Sequence, residues 1–229
     1  MSYQSTLAFW KKKSLKDLLP PPLKAEHGEY SMIFSACDKP AVLTPELLQV
    51  SLKAIEYASS VDLGEVGERN AQAKRFAHLW PGEHYRLLAG FVLALKPKVV
   101  IEIGTSTGLS ALCLKRYIPS DGKVVTFDIV PWQEYPDTLF KKEDFDERLI
   151  QHVADLSVAS VMDSYAPLIQ EAGLIFIDAS HDGDLEELIL ENMKKIQFCN
   201  KVFCVLDDIR VWTMLNMWRN VTLAKIDLT

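Results

Sequence analysis

The densest group of reactive side chains in this sequence is acidic. Asp178 closes the apolar run Leu174 to Ile177, Asp207 and Asp208 close the run Val202 to Leu206, and His181 follows Asp178 by three residues. Where runs of this kind lie side by side as parallel strands, their ends converge. Three carboxylates at close range in a partly dry cleft repel strongly. Shared protons, a basic neighbour or a divalent cation must neutralise them. Oxygen-only ligands suit Mg2+ or Ca2+, with Mn2+ as a further choice, so Asp178, Asp207 and Asp208 form a candidate metal site. His181 can act as a general base, because an unperturbed imidazole titrates near neutrality and Asp178 and Asp182 would raise its pKa. Its competing role is a loop residue that caps the next helix.

A second group surrounds a glycine turn. Glu102 lies two residues before Gly104, and Thr105, Ser106, Gly108 and Ser110 follow. Glycines let the backbone turn sharply and approach a ligand, and a following helix presents free N–H groups to a carboxylate or phosphate. The dinucleotide pattern G-x-G-x-x-G would need glycine at positions 106 and 109, where Ser106 and Leu109 stand, and the phosphate-loop pattern fails at Leu109 and Ser110. Asp128 ends the next apolar run, where an acid can accept from two ribose hydroxyls. Asp155 follows the third run, near where an adenine amino group would lie. Either acid could instead cap a turn or helix.

Five apolar, β-branched runs position these groups, at 99–103, 124–129, 149–153, 174–177 and 202–206, with helical segments at 109–117, 158–170 and 184–196 between them. Continuous apolar strands are covered on both faces, and strand-helix alternation at this spacing predicts an α/β, doubly wound, mostly parallel Rossmann-like sheet. Upstream, Thr44, Pro45 and Glu46 form a helix-start signal ahead of an apolar periodicity to Ala58, and a second helix is expected over 82–95. These helices read as an N-terminal cap. The expected division is residues 1–80, an extension and helical cap, and residues 81–229, the core. Beyond Asp208 we expect a helix at 212–218 and a strand at 221–226.

The chain has 229 residues, 48% of them hydrophobic, and a formal net charge of −6. That charge disfavours nucleic acid as a partner, and the basic triplet Lys11, Lys12 and Lys13 reads as a solvated segment. The longest apolar run, 87–95, is too short to span a bilayer, and no signal-peptide pattern opens the chain. Cys37, Cys113, Cys199 and Cys204 form no metal-binding spacing; Cys113 and Cys204 lie in apolar runs and are expected in the core. The expectation is a cytoplasmic protein that acts on a small molecule and touches neither membrane nor nucleic acid.

The segments around Glu102–Leu112, Val124–Val130, Leu174–His181 and Val205–Ile209 together resemble the class I O-methyltransferases, above all the metal-dependent group that includes the catechol and caffeoyl-CoA enzymes and bacterial relatives with an Ile-Asp-x-x-His strand end. The resemblance covers residues 85–209. It implies S-adenosylmethionine as cofactor, with Glu102, Gly104, Thr105, Ser106, Gly108 and Ser110 around its methionine part, Asp128 on the ribose, Asp155 near the adenine, and Asp178 also among the cofactor-binding residues. It implies a metal held by two aspartates and an asparagine; Asp208 stands in the asparagine's place, and His181 stands where those enzymes often carry a lysine base. Metal-assisted transfer of a methyl group to a small-molecule hydroxyl is the leading expectation. A metal-free reaction with His181 as base is one rival. The other is a non-catalytic interaction module, suggested by the missing last strand of that family's sheet: an open edge invites pairing with a second copy or another chain.

Overall fold

The computed structural model describes residues 43–77, 84–210 and 213–228. Five strands, β1 (Val99–Ile103), β2 (Lys123–Asp128), β3 (Leu149–Val153), β4 (Leu174–Ile177) and β5 (Phe203–Leu206), form one parallel sheet in the order β3-β2-β1-β4-β5. Every residue of β1 and β4 is buried. A central parallel strand can be apolar throughout because helices cover both its faces.

Alternation along the strands sorts the core into two layers. Val100, Val124, Leu149, Leu174 and Phe176 face α1 (Pro45–Ala58), α4 (His84–Leu95) and α5 (Leu109–Tyr117). Ile101, Ile103, Val125, Phe127, Ile175 and Ile177 face α6 (Ala159–Ile169) and α7 (Asp184–Met193). The expected α/β, doubly wound Rossmann-like sheet is therefore present, and the helices before β1 pack into the same apolar layer as α5. No described helix is long and apolar enough to cross a membrane.

The α1 start is the one the sequence announces: Pro45 stands in the first turn and the Thr44 hydroxyl accepts from the Leu47 N–H at 3.1 Å. Two short helices were not expected, α2 (Gly64–Gly67) and α3 (Ala71–Ala77). They are too short to show a period, although Asn70 caps α3 through the Ala73 N–H at 2.7 Å. The expected helix at 212–218 is α8 (Met214–Asn220), whose Met214, Leu215, Met217 and Trp218 are buried. Trp212, the segment 1–42 and the expected boundary at residue 80 lie outside the described residues.

Two expectations need correction. Residues 221–226 form no strand. Side chains rather than a ladder hold this segment: Lys225 Nζ donates to the Trp218 carbonyl at 2.8 Å and lies 4.9 Å over its indole, and buried Asp227 pairs with Arg210. Cys113 is buried as expected, but Cys204 is exposed. It lies on β5, which has a strand neighbour on one side only.

The long connection from β2 to β3 has little regular structure beyond two 3-10 turns, Trp132–Glu134 and Lys142–Asp144. It is nonetheless tightly held. Arg69 grips the Asp144 carboxylate with both terminal nitrogens at 2.5 and 2.8 Å and donates to the Leu139 carbonyl. Lys115 pairs with Asp146 at 2.8 Å, and Trp132 stacks on Phe145 with centroids 5.1 Å apart. This connection lies against the glycine turn: the Leu139 N–H donates to the Thr107 carbonyl at 2.8 Å.

Candidate active site

Strand order reverses at β1 and β4, and ligands of open parallel sheets bind beyond the carboxyl ends of the strands at such a point. Here hydrogen bonds continue the ladders past the strand ends. Gly104 N–H donates to the Phe127 carbonyl at 2.8 Å, Asp178 N–H to Ile103 at 2.9 Å and Asp207 N–H to Ile177 at 3.0 Å. Glycine turn, ribose acid and acidic cluster are therefore neighbours, as the sequence implies. A surface concavity lined by Pro97, Lys98, Val99 and Gly173 sits at the opposite, amino end of the strands, away from every one of these groups.

The two turn glycines are required by the protein itself. Gly104 has φ +105°, and a Cβ there would stand 1.7 Å from the Asp178 carbonyl oxygen; Gly108 has φ +90°, and a Cβ there would meet the Phe140 ring at 2.3 Å. The close approach expected towards a ligand is thus made first to neighbouring chain. Six of the seven positive-φ residues described, Gly104, Ser106, Gly108, His181, Gly183 and Asp208, lie in the loops at this end of the sheet. Sparsely populated backbone conformations gather at working sites because the surroundings must enforce them.

Glu102 is completely buried and neither carboxyl oxygen has a hydrogen-bond partner. Burial pushes its pKa up to about 8; the charges of Asp178 and Asp128 add to this, while the nearby hydroxyls of Ser110 and Thr126 oppose it. Ser110, itself buried in the first turn of α5, thus neighbours Glu102. A buried carboxyl without a partner, under a glycine turn, is suited to accept from a cationic group such as an ammonium.

Asp128 is fully engaged. Its Oδ2 accepts from the Thr105 and Ser106 N–H groups at 2.9 and 3.0 Å, and its Oδ1 from the Val130 N–H at 3.0 Å. The Tyr135 hydroxyl reaches both oxygens at 3.3 and 3.2 Å. Asp155 begins just past β3, beside Asp128, since the Ala154 N–H donates to the Asp128 carbonyl. Its Oδ1 accepts from the Ser157 N–H and hydroxyl at 3.0 and 2.5 Å.

The acidic cluster is organised by His181. Its Nε2 stands 3.1 Å from Asp178 Oδ1 and its Nδ1 3.7 Å from Asp208 Oδ2. Burial lowers the imidazole pKa, but the hydrogen bond to Asp178 and the charges of Asp178, Asp208 and Asp207 outweigh that and carry it up to about 9. The expectation that Asp182 would share in raising it is corrected: Asp182 Oδ1 instead accepts from the Leu185 N–H at 3.0 Å, in the first turn of α7. As arranged, these residues do not fit a divalent cation. No group of three or more metal-ligating side chains converges among the described residues, and the imidazole occupies the space between Asp178 and Asp208. Of the three ways to neutralise converging carboxylates, the structure uses a basic neighbour.

Two residues of the site were not anticipated. Glu186, buried on α7, accepts from the Ser180 and His181 N–H groups through Oε1 and from the Gly183 N–H through Oε2, each at 2.9 Å. It fixes the left-handed turn that presents His181. The signal available was a glutamate at the third position of a helix, a capping pattern. Tyr85 reads as part of an apolar helix face, yet its phenol pKa is raised by burial first and then by Asp178, Asp207, Cys113 and Glu102, which places the hydroxyl in the field of the acids.

Fold and site together form an α/β domain whose glycine turn and acids gather at the carboxyl ends of the strands. Residues 101–209 match the family described as Methyltransferase domain. The matched segment is just under half of the chain, and it is similar to that family from within β1 to the end of β5. Three similar solved structures are the SAH-bound methyltransferase of Podospora anserina (18% identity, 76% of this chain and 66% of that one, TM-score 0.47), the O-methyltransferase of Bacillus cereus with SAH (26%, 62% and 66%, 0.42) and the O-methyltransferase TomG of Streptomyces achromogenes with SAM (17%, 72% and 75%, 0.45). The chain thus spans just under two thirds of the length of the first two. No curated protein matches the sequence.

Proposed function

We propose that this chain transfers a methyl group from S-adenosylmethionine to a hydroxyl of a small molecule, with His181 as the proton acceptor. The observation that carries this reading is the imidazole itself. Nε2 is tied to Asp178, while Nδ1 is buried without a hydrogen-bond partner. In the neutral ring an Nε2–H donated to Asp178 leaves Nδ1 as the one basic nitrogen, the same logic by which a carboxylate fixes the tautomer of a catalytic histidine.

S-adenosylmethionine would supply a methyl group already activated on a sulfonium. The remaining work falls to the protein. Glu102 suits the ammonium of the methionine part; the turn Gly104, Thr105, Ser106, Gly108 and Ser110 borders it together with Asp178. Asp128 suits the ribose and Asp155 the adenine edge. Asp178 holds His181 in place, His181 Nδ1 takes the acceptor's proton, and alignment of the acceptor oxygen supplies much of the acceleration.

Calorimetric titration with S-adenosylmethionine and with its demethylated product tests the cofactor assignment directly. Saturable binding of both supports it, and a folded protein that binds neither overturns it. Because His181 already neutralises the acids, transfer to an accepted hydroxyl compound is expected to survive exhaustive dialysis against EDTA. Loss of turnover with EDTA and recovery with Mg2+ would restore the metal-assisted reading and require His181 to leave the space between Asp178 and Asp208.

A further inference from the structure

The carboxylate best placed to hold a ribose has no vacancy. A carboxylate offers about four lone-pair sites. At Asp128 three are taken by the backbone N–H groups of Thr105, Ser106 and Val130, all fixed by the strand ends and the glycine turn. The fourth is taken by the Tyr135 hydroxyl, which lies 3.2 and 3.3 Å from the two oxygens and so straddles the carboxylate's open edge. That edge is where a ribose hydroxyl would have to donate. Of the four donors, the phenol is the single side chain and the single one that can leave without unmaking the turn.

We propose that Tyr135 is a latch that occupies the ribose subsite and must swing away from Asp128 before the cofactor's ribose can bind. This rests on the reading of Asp128 as the ribose acid. The local chain suits such a role. Tyr135 lies between Pro131 and Pro136, and the proline that follows holds it in an extended conformation, φ −79° and ψ 119°. The residues around it are half-buried or exposed, unlike the buried Leu139 and Phe140 that anchor the same connection against the glycine turn. The arm is short, and its base is anchored through the Leu139 N–H on the Thr107 carbonyl. While it is closed, the apparent affinity for any ribose-containing ligand falls by the fraction of molecules in the open state.

The test compares wild type with Tyr135→Phe, titrated calorimetrically with S-adenosylhomocysteine, and follows association by stopped flow. The phenylalanine variant keeps the ring and loses the donor. Its Kd is expected to be roughly three- to tenfold lower than that of wild type. The observed association rate should saturate with ligand concentration in wild type and rise linearly in the variant. Equal or weaker binding by Tyr135→Phe overturns the latch, weaker binding meaning that the hydroxyl contacts the ligand itself. If wild type binds no S-adenosylhomocysteine, the cofactor reading falls and the latch falls with it, which is a different result from equal affinities.

Discussion

Replacing His181 by alanine is expected to lower kcat by about 100- to 10,000-fold, the range over which a positioned general base acts. Binding of S-adenosylmethionine should change far less than kcat, because among the residues assigned to the cofactor His181 contacts Asp178 and neither Glu102 nor Asp128. The sharper readout is the pH profile. With its pKa up to about 9, the imidazole of the resting protein is protonated at neutral pH and cannot accept a proton. The wild-type rate should therefore climb as pH rises through neutrality and level off above about 9. That limb should vanish from the residual activity of His181→Ala. A variant that keeps both the limb and the rate would place the base elsewhere, with Tyr85 the next candidate by position.

The second large effect is on stability. Glu102 is neutral in the folded protein up to about pH 8, whereas its unfolded value is 4.5. The folded state therefore holds this proton more tightly than the unfolded chain does. Its favourable contribution is complete below pH 4.5 and is lost as pH rises through 8, on the order of a few kcal/mol over that window. The raised pKa of His181 acts in the same direction: the stability it lends is complete below 6.5 and disappears as pH rises through about 9. The melting temperature of wild type should thus fall between pH 5 and pH 9. Glu102→Gln, neutral at every pH, should match wild type near pH 5 and exceed it clearly at pH 9. A parallel decline in both proteins would mean that Glu102 finds a partner when ionised. The same variant should bind S-adenosylmethionine more weakly if the carboxyl accepts from the ammonium, so stability and affinity move in opposite directions.

The sheet was legible because its signals are local. β1, β3 and β4 begin and end where the apolar runs do, and α5 fills 109–117 as its periodicity requires. Glycine turn, Asp128, Asp178 and Asp207 could be placed together from strand order alone, because adjacent parallel strands end side by side. What escaped depends on distant partners. The β2–β3 connection is shaped by Arg69 and Lys115 reaching Asp144 and Asp146. No window of sequence contains both members of those pairs, so Tyr135 was invisible as a neighbour of Asp128. The role of Asp208 turned on a backbone angle, φ +49°, which directs it towards His181. Asp182 differs from its expected role, and Glu186 has no sequence signal beyond a capping pattern, for a similar reason: both flank the same turn, and only the packing of α7 decides which carboxylate clamps it and which caps the helix.

The left-handed residues bear on how this molecule can change. At the amino ends of the strands a single described residue, Lys96, has a left-handed backbone, and elsewhere there pattern, propensity and burial agree. At the carboxyl ends, Ser106, His181 and Asp208 hold conformations that L-amino acids resist, and Glu186 enforces one of them through three backbone bonds. Local preference and global fold conflict there, which is frustration in the landscape sense. A search for stabilising substitutions would therefore converge on this rim first, and glycine or asparagine at position 181 would ease the backbone while deleting the imidazole. On the proposed function the rim is a compromise in which folding yields to chemistry, and the stability gained by relaxing it can be measured without knowing the acceptor.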